Sequence, residues 1–92
     1  MELELEDKLQ QIYHNIKVEV KYKDIRQYEV ITILEYKGVE YESKVEYWYD
    51  ATLTFDANIS KIENIIDNKI IIPFYKKERR IEKCKKVNLY QQ

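Results

Sequence analysis

The feature that most constrains this fold is the dipeptide Lys37-Gly38, where two alternating segments meet at the only glycine of the sequence. A two-residue hairpin turn needs residues that tolerate a positive φ, and glycine does so without strain. Such a turn pairs Tyr36 with Val39, and every pair further from the turn follows from that one. The sequence therefore predicts an antiparallel hairpin in a single register.

In this register one face of the hairpin is apolar and aromatic, and the other is mostly charged. The inward pairs are Leu34–Tyr41, Thr32–Ser43, Val30–Val45 and Tyr28–Tyr47, and the outward pairs are Glu35–Glu40, Ile33–Glu42, Ile31–Lys44 and Glu29–Glu46. Six inward tyrosines (Tyr22, Tyr28, Tyr36, Tyr41, Tyr47 and Tyr49) are interpreted as core residues with their hydroxyls at the rim of the sheet. A groove for a ligand or peptide and a stacking surface for single-stranded bases are the alternatives.

The hydrophobic spacing places the remaining elements. Helical spacing predicts a first helix over residues 3–15 and a strand from residue 16, followed by a turn at 24–27 and a strand over 28–36. Alternation from Val39 to Phe55 predicts either one long bent strand, which the lack of a turn residue favours, or a fourth strand starting near Asp50. A second helix is predicted to start at Asp56 or Asn58 and to stop at Asn68.

The C-terminal part of the chain is predicted to add one edge strand and a basic segment. Residues 70–75 form a β-rich run, which Pro73 confines to a sheet edge, and a basic helix or tail follows. The predicted fold class is α+β, with an N-terminal helix packed on an antiparallel sheet of three to five strands, a second helix and the basic helix or tail. A chain of 92 residues is expected to form a single domain over 1–92.

Composition excludes several classes of function. With one cysteine and one histidine the chain has no disulfide framework, no CxxC zinc site and no histidine zinc site, so no metal and no cofactor are expected. His14 is interpreted as a cation near the end of the first helix, and Cys84, among lysines, as a buried residue rather than a nucleophile. An enzyme is therefore not expected. No long apolar run and no basic-then-apolar start occur, so neither a membrane span nor a secretory signal is expected.

Charge is distributed unevenly along the chain. Residues 1–75 carry nine Lys and Arg against fifteen Asp and Glu, whereas residues 76–86 carry seven against two. The seven cations are Lys76, Lys77, Arg79, Arg80, Lys83, Lys85 and Lys86. They are interpreted either as a segment that neutralises the acidic body or as a contact to an acidic protein or to nucleic acid, whose phosphates attract such clusters.

The outward face of the hairpin carries more apolar area than a solvated sheet face needs. Ile31, Ile33 and Trp48, rimmed by Glu29 and Glu46, predict a contact surface, since exposed apolar patches and tryptophans are typical of interfaces. Cover by the second helix or tail, a homodimer seam and a foreign protein partner are the three interpretations. Lys17, Lys21 and Lys23 on the first strand are expected to offset the repulsion between facing glutamates.

These observations together predict a non-enzymatic binding protein that acts by protein–protein contact, with nucleic-acid binding through 76–86 as the alternative. The order of helix, three strands and helix is similar to that of double-stranded RNA-binding domains and of cystatin-like folds, but by order alone, and no family is identified. Lys, Asn, Ile, Tyr and Phe, which have AT-rich codons, supply 42 residues against seven for Gly, Ala, Arg and Pro. That bias favours a cytoplasmic accessory factor, inhibitor or regulator of a virus or other mobile element, in the host cytoplasm if viral.

Overall fold

A computed structural model describes residues 1–77 of the chain. The elements in chain order are helix α1 (Glu2–Ile12), strands β1 (Ile16–Asp24), β2 (Gln27–Tyr36) and β3 (Val39–Trp48), and helix α2 (Phe55–Ile66). The strands form one antiparallel sheet in the order β1-β2-β3. The α+β arrangement is as predicted. Within residues 1–77 the sheet has three strands and no fourth.

The predicted hairpin register is confirmed at every pair, from Tyr36–Val39 next to the turn to Tyr28–Tyr47, and the pairing extends by one more pair, Gln27–Trp48. Lys37 and Gly38 both have positive φ, 53° and 78°. Two consecutive positive values define the tight hairpin turn whose twist matches that of the flanking strands. This turn therefore determines which side chains of β2 and β3 lie on each face.

Both helices pack on the inner face of the sheet and enclose a single core there. Leu5 and Leu9 of α1 meet the buried apolar residues of α2, which are Ile59, Ile62 and Ile66. The sheet contributes its inward aliphatic residues together with Tyr28 and Tyr47. Of the other tyrosines predicted to point inward, Tyr36 and Tyr49 are half-buried, and Tyr22 and Tyr41 are exposed. The interpretation of the tyrosines as core residues is thus correct for the centre of the sheet.

Strand β3 stops at Trp48, so the prediction of a strand continuing toward Phe55 was wrong. A turn formed by the Asp50 side chain, which accepts from the Thr52 backbone N–H at 2.9 Å, replaces the glycine that was missing from the sequence pattern. Helix α2 begins earlier than Asp56 or Asn58, with Thr54 as its N-cap, and the Thr54 hydroxyl accepts from the Ala57 N–H at 3.1 Å. Asn58 is instead fully buried.

The chain remains helical past Asn68, which overturns both the predicted helix stop and the predicted edge strand at residues 70–75. A π-helical turn covers Asp67–Ile71, with the Ile72 N–H donating to the Asp67 carbonyl, and a regular helical segment covers 72–77. We call residues 67–77 the helical extension. A short apolar run does not distinguish a strand from a buried helix, and here Ile71 and Phe74 pack against the core.

Among residues 1–77, no helix is both long and apolar enough to cross a membrane. Of the seven basic residues predicted to act together, Lys76 and Lys77 end the helical extension and are exposed. Arg79, Arg80, Lys83, Lys85 and Lys86, together with Cys84, lie outside the described residues.

Candidate partner-binding site on strand β3

The outward face does not form the continuous apolar patch that the sequence predicts. Trp48 is 65% exposed at the end of β3, but Ile31 is only 2% exposed, and Ile33 is half-buried. Ile31 lies on the central strand, opposite Glu19 of β1 and Lys44 of β3. Cover by α2 is also wrong, because α2 lies on the opposite face.

The facing glutamates Glu29 and Glu46 share one lysine of the first strand, as expected. Lys23 Nζ contacts a carboxylate oxygen of Glu46 and lies 3.9 Å from Glu29. The hydrogen bond from Lys23 lowers the pKa of Glu46, and the same bond raises the pKa of Lys23. Gln27 Nε2 adds a second donor to Glu46 at 2.9 Å. This end of the charged face is therefore internally compensated.

The outer edge of β1 is closed by side chains of α1. Every second backbone N–H of an edge strand points away from the sheet, and here Val18, Val20 and Tyr22 present such donors. Gln10 Oε1 accepts from Val18 at 2.8 Å, Glu6 Oε1 from Val20 at 2.9 Å, and Glu2 Oε2 from Tyr22 at 2.8 Å. Four residues of helix rise about 6 Å and two residues of strand about 6.7 Å, so the two repeats stay in step.

Gln10 also fastens the chain that joins α1 to β1. Its Nε2 donates to the carbonyl of Tyr13 at 2.8 Å and to that of Ile16 at 2.9 Å. One amide therefore satisfies an outward donor of β1, a carbonyl group of the connection and the carbonyl group of the first residue of β1. The polar stripe of α1 thus acts in place of a fourth strand beside β1.

The outer edge of β3 has no such cover from any element of residues 1–77. Tyr36 and Val39 flank the two-residue turn and form a hydrogen-bonded pair, so the odd residues of β3 bond to β2 and the even residues face outward. Within residues 1–77, no hydrogen bond reaches the outward backbone groups of Glu40, Glu42 or Lys44. A row of unpaired N–H and C=O groups is what an added strand pairs with.

A groove of about 470 Å³ runs beside this open edge, on the inner side of the sheet. One wall is β3 with Tyr41, and the other is the helical extension with Ile70, Pro73 and Phe74. The Tyr41 and Phe74 rings meet edge to face with their centroids 5.0 Å apart, and Tyr41 remains 40% exposed. The groove thus offers apolar and aromatic surface directly next to unpaired backbone.

A second cavity of about 280 Å³ lies between the α1–β1 connection and the helical extension, and it shares Leu34 with the groove beside β3. Tyr13 borders it and donates to Asp67 Oδ1 at 2.7 Å and to the Glu63 carbonyl at 3.1 Å. Burial, reinforced by Asp67, raises the pKa of Tyr13, so its hydroxyl stays protonated. His14 lines the same cavity, and no cluster of three metal-binding side chains occurs in the described part of the chain.

The sequence predicted the strands of the site but not the open edge of β3. That edge could have been predicted, because the hairpin register alone assigns the outward backbone groups of β3 to even positions. The closed edge was marked by the i, i+4, i+8 spacing of Glu2, Glu6 and Gln10 on the polar side of α1. That stripe is typical of any solvated helix face, so its role at β1 required coordinates.

No protein family, curated protein or solved structure shows a significant match to this chain.

Proposed function

We propose that this protein is a non-enzymatic binding protein that takes up an extended segment of a foreign protein as a fourth strand on β3. The observation that supports it is the contrast between a β1 edge covered by α1 and a β3 edge that the described residues leave open beside an apolar groove. Strand addition is a common way in which sheets recognise peptides. Main-chain hydrogen bonds supply affinity, and pockets for alternate side chains supply specificity.

The two ends of β3 contribute differently to such binding. At the hairpin end, side chains of the added strand on the inner face enter the groove that Tyr41 and Phe74 help to line. At the other end, Trp48 offers a large exposed surface on the outer face. Tryptophan is enriched among residues that dominate interface energies, so Trp48 keeps the role of partner contact that the sequence predicts.

As an accessory factor of a virus or other mobile element, the protein would inhibit or regulate its partner by occupying this segment. Sequestering a strand from a larger protein needs no catalytic group. It needs a rigid edge, and β3 is held on one side by ten cross-strand pairs to β2.

The test uses Glu42, whose backbone N–H points away from β2. Proline at this position removes the outward donor and leaves the pairing with β2 intact, because edge strands tolerate proline there. Short random peptides are selected for binding to the wild-type protein, and the selected peptides are titrated against Glu42→Pro and Glu42→Ala. We expect at least tenfold weaker binding to Glu42→Pro and less than a threefold change for Glu42→Ala, which keeps the donor. Equal affinities for the two variants would contradict strand addition.

Nucleic-acid binding is tested separately, because most of its predicted residues lie outside the described part of the chain. Oligonucleotide titrations over a range of salt compare the wild type with the double variant Arg79→Glu/Arg80→Glu. Submicromolar binding with a steep salt dependence, lost in that variant, would replace strand addition as the proposed function. Weak binding that is the same in the variant would retain strand addition as the proposed function.

A further inference from the structure

The charges along β3 restrict which strand the open edge can accept, on the premise that strand addition is the function. On the outer face, Glu46 is paired with Lys23, whereas Glu40 and Glu42 have no ion-pair partner in the described chain. The cross-strand neighbour of Glu40 is Glu35, another carboxylate. The hairpin end of the outer face is therefore an uncompensated acidic ladder.

The inner side of the same edge imposes the opposite requirement. The groove is walled by Tyr41, Ile70 and Phe74, and its rim on the helical extension carries Lys69 and Lys77, both exposed. A cationic side chain entering the groove would lose hydration against aromatic walls and approach two lysines. An uncharged side chain of large apolar area suits the groove best.

Side chains of a strand alternate between the two faces of a sheet. Residues opposite Glu40 and Glu42 would lie on the outer face, and the residue between them, opposite Tyr41, would enter the groove. We propose that the segment bound by β3 carries a basic–apolar–basic triplet, with the two cations on the acidic ladder and a large apolar side chain in the groove. The triplet is symmetric, so it fits in either strand direction.

This pattern argues against strand β3 of a second copy as the occupant, and strand β1, which carries Lys21-Tyr22-Lys23, already has its outward N–H groups bonded to α1. Strand β3 itself has three glutamates and one lysine on its outer face, and nowhere along it do two basic residues flank an apolar one. Pairing β3 with itself so that Glu42 meets Lys44 sets Glu40 against Glu46. Like charges directly opposite destabilise a ladder. A basic segment of another protein meets no such repulsion.

The test measures fluorescence anisotropy of labelled peptides with the sequence Thr-Val-Lys-Phe-Lys-Val-Thr and its counterpart Thr-Val-Glu-Phe-Glu-Val-Thr. We expect the wild type to prefer the basic peptide by about tenfold at low salt, since two attractive pairs replace two repulsive ones. The double variant Glu40→Lys/Glu42→Lys changes only exposed side chains, and we expect it to reverse the preference. A peptide with Lys-Lys-Lys at the centre should bind more weakly than Lys-Phe-Lys despite its greater charge.

The outcomes separate this inference from the proposed function. If both peptides bind equally and Glu42→Pro abolishes both, strand addition stands and the triplet is wrong. If Lys-Lys-Lys binds best, the groove plays no part and the triplet is also wrong. If neither peptide binds, both proposals fail.

Two further measurements identify a different occupant. The chain contains Lys83-Cys84-Lys85, a basic–apolar–basic triplet of its own. If the peptides bind the full chain only after Lys83→Glu/Lys85→Glu, then its own C-terminal segment is the occupant and the foreign segment is overturned. If the wild type sediments as a dimer and Glu42→Pro sediments as a monomer, then a second copy occupies the edge of β3. That result would also overturn the foreign segment as the occupant.

Discussion

The two edges of the sheet start with the same unpaired backbone groups and differ in what lies beside them. Strand β1 meets a helix whose Glu2, Glu6 and Gln10 accept its outward N–H groups, whereas β3 meets a groove, and its outward groups have no partner within residues 1–77. The strands themselves are of similar length and both alternate. Availability of an edge is therefore decided by the neighbouring helix and not by the strand. Four predictions test this difference, and they follow in order of expected effect.

The largest effect is expected at Asn58, which terminates the open edge. Its fully buried amide accepts from Tyr47 Oη at 2.6 Å and from the Asp50 N–H at 2.8 Å, and it donates to the carbonyls of Asp50 and Thr54, both at 2.9 Å. Asn58→Ala should lower the free energy of unfolding by roughly 3–5 kcal/mol, because several buried groups lose their partners. Urea unfolding measures it. The exposed Asn64→Ala is the control, and equal losses would refute the role of Asn58.

The next largest effect is expected at Gln10, on the closed edge. Gln10→Ala removes three hydrogen bonds and frees an N–H of β1, which should cost about 2–3 kcal/mol of unfolding free energy. Gln11→Ala, its exposed neighbour on α1, should change stability by less than about 0.5 kcal/mol. Chemical denaturation of both variants checks the difference. If the two substitutions were equivalent, α1 would not be the cover of β1.

A matched pair of prolines compares the edges directly. Tyr22→Pro removes a donor that Glu2 uses, so it should be about 1–2 kcal/mol less stable than Tyr22→Ala. Lys44→Pro removes a donor that has no partner in residues 1–77, so it should differ from Lys44→Ala by about 0.5 kcal/mol or less. Thermal unfolding of the four variants gives both differences. Similar differences at the two positions would mean that the edges are equivalent.

The smallest effect concerns the compensated end of the charged face. Because Lys23 lowers the pKa of Glu46, the pair stabilises the fold above the ordinary glutamate pKa of about 4.3 and loses that contribution as the pH falls through the lowered value. The pKa of Lys23 is raised, so the contribution is also lost at strongly alkaline pH. Melting temperatures of the wild type and Lys23→Gln should converge below pH 4. A constant gap down to pH 2 would contradict the pairing.

The hairpin could be predicted because its determinants are local. The turn residues Lys37 and Gly38 and the strict alternation on either side of them specify one register. The end of β3 could not be predicted in this way, because a residue eight positions further along the chain determines it. The buried Asn58 side chain bonds to the backbone N–H and carbonyl of Asp50. The pattern of residues within the strand contains no sign of that contact.

The predictions for the helical extension and for the outer face of the sheet were wrong for a related reason. The run from Ile70 to Tyr75 has the composition of a strand, and only packing of Ile71 and Phe74 on the core decides in favour of a helix. Ile31 lies on the strand where the sequence placed it, but it is buried and not exposed. Glu29 and Glu46 lie opposite each other as the hairpin register predicts, whereas the outward backbone groups of β3 were not part of that prediction.

The ladder of Glu2, Glu6 and Gln10 also sets a limit on assembly. Fibrillar stacking requires each molecule to offer two unsatisfied flanks, one to the molecule before it and one to the molecule after it. Here α1 already occupies the outward donors of β1, so within residues 1–77 only β3 offers such a flank. Two copies that met through β3 would use up the open edge of both molecules, and no third molecule could extend the shared sheet.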